Sequence, residues 1–376
     1  MFLAGLSAQI SECEAVQTSL RDVVSDSPSR ITFANSFSST FLSLMAQQSL
    51  TLVITPTSAV AEDLIEELSS FVDPSSVAYL PAWETLPHEQ LSPSLEISGL
   101  RISTLLRIQE RDQTLKFVIV PIRALMQRVL TDALKLQPLQ VHIGKEVAFG
   151  EFCADVFRRG YQKTDLVQSR GEFAIRGGIV DIFRAVDPHP LRIEFWGDEV
   201  ESIREFQVAD QISTGEKINN LEIPATRELL LSDAIQKKAE ELQPRFSHLS
   251  ETLSKISAGI YAQGFESLAS LFMAEQSSLL ELLPEKTSIV MLQSERTRNR
   301  AEDLLSTSQE FLEAAWSNAI YGNRIPLEIE ESSYLSIAEL QSQATRQKFP
   351  WVEHSPFNAD AEDIENVFAA IRPIAI

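Results

Sequence analysis

The sequence predicts an α/β domain with a largely parallel sheet, interrupted by a smaller α+β domain. Short, continuous runs of β-branched residues alternate with helical periods before residue 130, and another such run, TSIVMLQ, returns at 287–293. Uninterrupted apolar strands of this length are typical of parallel sheets covered by helices on both faces. Between these regions the strands have a two-residue period and are separated by glycine turns, which indicates an antiparallel sheet.

The first part of the α/β domain is predicted over 1–130. Residues 7–26 have the period of an amphipathic helix, and a short apolar stretch, ITFA, follows Pro28. The strand run LTLVITP then leads into a helix for which Ser58 is a suitable N-cap. The apolar face of that helix consists of Val60, Leu64, Ile65 and Leu68. The run KFVIVP gives a further strand before residue 122.

The inserted α+β domain is predicted over 131–209. It contains one helix, GEFCADVFRRGY, followed by several strands of alternating polarity. Gly177-Gly178 and Gly197-Asp198 stand between pairs of these strands, and such dipeptides favour the tight turns of β-hairpins. This segment is therefore predicted to form an antiparallel meander.

The α/β domain is predicted to resume over 210–335. Its first helix has Ser232 as a cap and is broken at Pro244, and the strand TSIVMLQ leads into a long helix. The segment 336–376 shows little pattern, so we expect it to be a linker or the start of a truncated next domain.

Composition excludes several classes of protein. The 376 residues include 32 basic and 53 acidic side chains, a net charge of -21, so non-specific binding to nucleic acid is not expected to be the main activity. Cys13 and Cys153 are far apart and belong to no CxxC pattern, which argues against a disulfide scaffold and a zinc site. With no basic signal-peptide start and no apolar run of about 18 residues, we expect a cytoplasmic protein without a membrane partner.

The sequence offers no positive case for catalysis. After the first strand of the α/β domain, a phosphate site would need glycines and a lysine, but the sequence there is FANSFSSTF. Ser38, Ser39 and Thr40 could bind an ordinary anion, but a capped helix start is favoured. We find no magnesium-binding acidic box, no GxSxG motif and no metal-like histidine spacing, so no cofactor or metal is expected.

The most informative segment runs from Arg170 to Phe206. Strand alternation in GEFAIRG and LRIEFWGDEV places apolar residues on one face and Arg176, Arg192 and Trp196 on the other. Arginine and tryptophan are enriched at interface hot spots, which favours a partner-binding face. The alternative is structural: the arginines pair across strands with acidic residues and the tryptophan covers a sheet edge. The candidate acidic partners are Asp181, Glu194 and Glu199.

Three long stretches resemble one protein family. They are YLPAWETLPHEQLSPSLEISGLRISTLLRI, VIVPIRALMQRV and GEFAIRGGIVDIFRAVDPHPLRIEFWGDEVESIREFQV. They resemble the N-terminal part of the bacterial transcription-repair coupling factor, and the third is shared more loosely with the excision-repair protein UvrB. The resemblance covers about residues 30–335.

This resemblance implies a fold and a site. The fold would be a degenerate RecA-like three-layer domain, like UvrB domain 1, interrupted by a smaller domain like UvrB domain 2. Ser38, Ser39 and Thr40 would mark a degenerate nucleotide site, with Thr40 where the phosphate-binding lysine would be. The smaller domain would bind UvrA, with Arg176, Arg192 and Trp196 at the family's contact positions.

The resemblance also implies a function without catalysis: recruiting UvrA to stalled RNA polymerase for transcription-coupled nucleotide excision repair. RNA polymerase and DNA would be bound through parts of the parent protein that are not in this chain. The alternative is part of an ATP-dependent DNA translocase whose motor motifs lie beyond this chain. A third possibility is a regulatory module whose UvrA surface is masked by other domains of the parent.

Overall fold

The structure is a computed structural model, and it describes residues 9–14, 16–17, 20, 29–46, 49–85, 91–215, 217–320 and 334–356. The helix predicted over 7–26 lies largely outside these residues.

A six-stranded parallel sheet forms the centre of the larger domain. In spatial order its strands are β1 (Ser29–Thr32), β16 (Trp351–Ser355), β15 (Ser288–Met291), β2 (Thr51–Thr55), β4 (Phe117–Pro121) and β3 (Val77–Tyr79). Each neighbouring pair is parallel. Every residue of β2, β4 and β15 is buried, as expected for strands covered on both faces. The predicted parallel sheet is thus confirmed.

Helices cover both faces of this sheet. In chain order, the helices of the whole described chain are α1 (Ser38–Met45), α2 (Ser58–Ser69), α3 (Leu95–Gln109), α4 (Ile122–Met126), α5 (Phe149–Arg158), α6 (Asp233–Leu242), α7 (Ser250–Ser257), α8 (Leu279–Leu282), α9 (Ser294–Ile320) and α10 (Ile337–Gln347). Of these, α5 packs in the smaller domain, and α6 and α7 form a separate core. Alternation along β2 divides the core, because Leu52 and Ile54 pack with α3, α4, α8 and α10, whereas Val53 packs with α1 and α2. Among the described residues, no helix combines the length and apolar character that crossing a membrane requires.

Residues 336–355 belong to the larger domain, which corrects the expectation of a linker or new domain over 336–376. Strand β16 lies between β1 and β15 and pairs with both. The imidazole of His354 is fully buried: its Nδ1 accepts from the Gln293 N–H at 3.2 Å, and its Nε2 donates to the Phe33 carbonyl at 2.8 Å. Burial lowers the pKa of His354 because it penalises the charged ring.

The smaller domain is built on a second six-stranded sheet. In spatial order its strands are β12 (Ser213–Thr214), β11 (Glu199–Phe206), β10 (Leu191–Trp196), β9 (Ile179–Ile182), β8 (Glu172–Arg176) and β7 (Gln162–Lys163). A separate antiparallel pair, β6 (Leu139–His142) and β13 (Asn220–Ile223), shares its core through Val141, Leu221 and Ile223. The domain therefore continues to residue 223, past the predicted boundary at 209.

The chain then forms a helical segment with its own core. Helices α6 and α7 pack together, and Pro244 lies between them, as predicted from the sequence. Their core extends from Leu229 to Phe272. A short antiparallel pair, β5 (Val129–Leu130) and β14 (Gln276–Ser277), connects this segment to the end of the first part of the larger domain.

Two contacts fix the smaller domain and the helical segment against α3. The Arg101 Nε donates to Glu228 Oε1 at 2.5 Å, with both side chains buried, and the indole N–H of Trp83 donates to the same oxygen at 2.8 Å. Gly99 packs so tightly that a Cβ there would lie 2.5 Å from the Cβ of Ala185. Only glycine fits this contact, so α3 lies close against the segment that follows β9 in the smaller domain.

Candidate partner-binding face

The candidate face lies on a meander of β8, β9, β10 and β11. Gly177-Gly178 joins β8 to β9, and Gly197-Asp198 joins β10 to β11, as the sequence predicted. Gly177 has φ 61° and Gly197 has φ 64°. These left-handed values are easily adopted by glycine and match the two-residue turns favoured in hairpins.

One face of the meander is buried against α5. The Phe195 ring lies 5.1 Å from the Phe152 ring, in a core that includes apolar residues from each of the four strands. The apolar face predicted from strand alternation therefore packs on α5. Since successive side chains alternate, the opposite face carries Arg176, Arg192 and Trp196.

Strand register places the three predicted residues in different rows of that face. Arg192 lies directly opposite Asp181 on β9, while Trp196 lies directly opposite Glu199 on β11. Arg176, at the end of β8, lies one row closer than Asp181 to the Gly177-Gly178 turn. The side chains are thus close but have different surroundings.

Arg192 is mostly engaged within the domain. Its Nε and Nη2 donate to the two carboxylate oxygens of Asp181 at 2.8 and 3.0 Å, and its Nη1 donates to the Gln211 carbonyl at 3.0 Å. The guanidinium carbon lies 4.7 Å from the ring centre of Phe206. The hydrogen bond with Asp181 raises the pKa of Arg192, and only 14% of its side chain is exposed. Arg192 therefore stabilises the sheet and has little surface left for a partner.

Arg176 shares the same buried carboxylate but remains accessible. Its Nη2 donates to Asp181 Oδ2, and 42% of its side chain is exposed whereas that of Asp181 is fully buried. The structural alternative is therefore correct for Asp181. The predicted pairing with an arginine does not hold for Glu194, whose carboxylate accepts from the Ser202 hydroxyl at 2.6 Å.

Trp196 is the most accessible of the three predicted residues, with 80% of its surface exposed. A tryptophan contributes about 150–250 Å² of burial when it is covered by a partner. An aromatic residue this exposed, on a rigid strand, is the type of residue that dominates binding energy at interfaces.

Arg204 lies on this face and was missed from the sequence. It is directly opposite Arg192 and partly exposed, and its side chain makes no hydrogen bond or ion pair with any residue that the structure describes. Simple alternation fails in β11 because Glu201 is an extra residue that shifts the register between Val200 and Ser202. A β-bulge of this kind leaves no clear signal in the sequence.

The predicted degenerate nucleotide site lies in the first turn of α1. The helix begins at Ser38, but its N-cap is Phe37, which makes no side-chain capping hydrogen bond. This corrects the expected capped start. Ser38, Ser39 and Thr40 are all buried, with 6%, 4% and 8% exposure. Within the part of the chain that the structure describes, no three His, Cys, Asp or Glu side chains group to hold a metal ion.

Comparison with known proteins gives a match to one domain family and matches to several curated relatives. The family profile of the UvrB interaction domain matches residues 139–229, which include all four strands of the meander. The chain is also 35% identical to the transcription-repair-coupling factor of Mycobacterium bovis over 88% of its own length and 30% of that protein. The Haemophilus influenzae and Escherichia coli factors are each 30% identical over 67% and 64% of this chain, covering 22% and 21% of their lengths.

The chain thus spans less than a third of the length of the curated relatives that it matches. The profile match falls on the inserted domain, and the alignment with the Mycobacterium bovis factor extends across both parts of the larger domain. These findings agree with the resemblance seen in the three sequence stretches, and the chain belongs to the transcription-repair-coupling factor family as its N-terminal, UvrB-like module.

Proposed function

We propose that this chain recruits UvrA to stalled RNA polymerase for transcription-coupled nucleotide excision repair, without catalysing a reaction itself. The inserted domain would bind UvrA through the face that carries Arg176, Arg192 and Trp196. RNA polymerase and DNA would be bound by other parts of the parent protein. The family membership and the position of the matched UvrB interaction domain support this proposal.

One observation carries the proposal: Trp196 is 80% exposed on the same sheet face as the half-exposed Arg176. The two residues differ from Arg192 in that a partner can reach them without unfolding the local structure. We therefore assign most of the binding energy to Trp196, a smaller part to Arg176, and a mainly supporting role to Arg192.

Calorimetric titration of purified UvrA into the chain tests this assignment. Trp196→Ala is expected to weaken binding about 30-fold, since loss of a central aromatic hot spot costs about 2 kcal/mol or more. Arg176→Ala is expected to weaken it about threefold to tenfold. Arg192→Ala alone would be ambiguous, because the same change removes the Asp181 interaction within the sheet.

Two matched variants serve as controls. Met273→Ala removes a side chain that is 81% exposed on a residue outside the inserted domain. Arg158→Ala removes an arginine that is 64% exposed on α5. Both should bind UvrA like the unmodified chain. Unchanged affinity in Trp196→Ala and Arg176→Ala would refute the site, and absence of UvrA binding by the unmodified chain would refute the function.

The absence of catalysis is tested separately. The FANSFSSTF segment lacks the glycines and lysine of a phosphate-binding loop, so we expect no ATP hydrolysis by this chain, with or without DNA. ATP turnover that is lost in Thr40→Ala would contradict this and would favour the motor alternative. In the intact parent protein, weaker UvrA binding than in this chain would indicate masking by other domains.

A further inference from the structure

We propose that Trp196 is the centre of an acidic patch that selects a basic partner surface, with an arginine or lysine stacked on the indole. We define this acidic patch as Trp196, Glu199, Glu146 and Asp198. The inference rests on the proposed function in that UvrA is the first partner to be tested. It goes further by specifying the chemistry that the partner must present.

Backbone pairing builds the acidic patch. Trp196 lies directly across from Glu199 in the β10–β11 ladder, and an isolated antiparallel bridge joins Glu199 to Glu146. Residues that face each other in such pairs project to the same side of a sheet. Trp196, Glu199 and Glu146 therefore form one row that crosses the hairpin and ends at the segment before α5. The row lines a shallow depression together with Asp198.

The charges of this row are not neutralised within the domain. Glu146 and Glu199 are exposed, and neither carboxylate has a hydrogen bond or ion pair to a residue that the structure describes. The adjacent Lys145 directs its amine to the carbonyl of Gln140 instead. The carboxylate of Asp198 accepts from the Phe149 N–H at 2.9 Å, at the start of α5.

Two glutamates facing each other across a bridge also lower stability. Like charges directly opposite in a sheet repel, so this pair opposes the fold that brings it together. Local conflicts of this kind are expected at functional sites, where stability is given up for binding. The repulsion would be relieved by a cation placed between Glu146 and Glu199.

The charge distribution of the face sets the orientation of the partner. Arg176 and Arg204 lie on the part of the face nearer Asp181, whereas the acidic patch lies at the Gly197-Asp198 turn. A cation over the indole would gain cation–π attraction and an ion pair with Glu199 at the same time. An acidic partner surface would instead be repelled at the place where the partner would cover Trp196.

The test compares two double variants that change net charge equally. Glu146→Gln with Glu199→Gln removes the unpaired acids of the patch, and Glu66→Gln with Glu67→Gln removes two exposed acids of α2. UvrA affinity should fall about tenfold in the patch variant, with a shallower salt dependence, and by less than twofold in the control. The melting temperature of the patch variant should stay level or rise, because a repulsion is removed.

An arginine-rich peptide is the second probe, titrated by calorimetry against the same variants. A loss of peptide affinity confined to the patch variant supports the inference even if UvrA does not bind, in which case only the proposed function fails. A different result would refute the acidic patch alone. In that case UvrA binding needs Trp196, but both double variants bind UvrA and the peptide like the unmodified chain, and the proposed function stands. Tighter binding of UvrA or of the peptide by the patch variant would also refute the acidic patch.

Discussion

Replacing Asp181 with asparagine tests how the candidate face is held in place. The buried carboxylate receives hydrogen bonds from both Arg176 and Arg192, and its side chain is fully buried. Asparagine has nearly the same shape, but it removes the charge and presents an amide donor to two guanidinium donors. The change therefore removes the ionic interaction while leaving the packing almost unaltered.

The expected loss of stability follows from the two pairs. The Arg192 pair has two hydrogen bonds at 2.8 and 3.0 Å and a side chain only 14% exposed, so its loss should cost about 2–3 kcal/mol. The Arg176 pair is 42% exposed on the arginine side and is screened by water, so its loss adds at most about 1 kcal/mol. The total is about 3 kcal/mol.

Hydrogen exchange measures this loss of stability in the smaller domain, which contains Asp181. Because the chain has several cores, global unfolding curves would mix their transitions, whereas amide protection reports local opening. About 3 kcal/mol corresponds to roughly a hundredfold loss of protection in β9 and β10. The amides of β2 and β4, in the larger domain, should keep their protection from exchange. The loss should also be smaller when Asp181→Asn is made in an Arg192→Met background. A fall of less than about fivefold in β9 and β10 would refute the role given to this carboxylate.

Three further predictions concern the architecture. Gly99→Ala should lower the melting temperature, with a loss of about 1–3 kcal/mol, because its methyl group would overlap Ala185; Gly150→Ala, with open space around its Cβ position, should not destabilise the chain. His354→Gln should flatten the pH dependence of stability. Burial lowers the pKa of His354, so its contribution is complete above the unfolded pKa of about 6.5 and is lost on acidification, by at most about 1.4 kcal/mol per pH unit. Deletion of 336–376 should abolish protection of the parallel sheet, since β16 lies between β1 and β15; a stably protected sheet without it would refute this placement.

The parallel sheet was predictable where its strands consist of long apolar runs. LTLVITP and KFVIVP are buried on both faces, so burial imposed a composition that could be recognised. Strand β16 reads WVEHS, with only two strongly apolar residues. His354 is buried there and forms hydrogen bonds with two distant segments, which no local pattern reports. The same weakness in local signal explains why the sequence predicts a linker or the start of a truncated next domain over 336–376.

The candidate face was predictable from alternation in its regular strands only. The alternation of side chains along each strand correctly placed Arg176, Arg192 and Trp196 on one face. It gave no measure of exposure, which depends on Asp181 and on the segment around Gln211 that covers Arg192. These are tertiary contacts between residues on different strands and loops, so they become visible only when the strands are assembled.

The pairing of β1 with β16 has a consequence for the order of folding. Ser29 pairs with Val352, and β1 lies at the edge of the described sheet with β16 as its neighbour. At synthesis rates of about 5–20 residues per second, β1 would wait tens of seconds for this partner. The strands of the inserted meander are separated by short turns, so they can pair as soon as they are synthesised. The inserted domain is therefore expected to be complete while the larger domain, into which it is inserted, still has a gap between its first strand and the rest of its sheet.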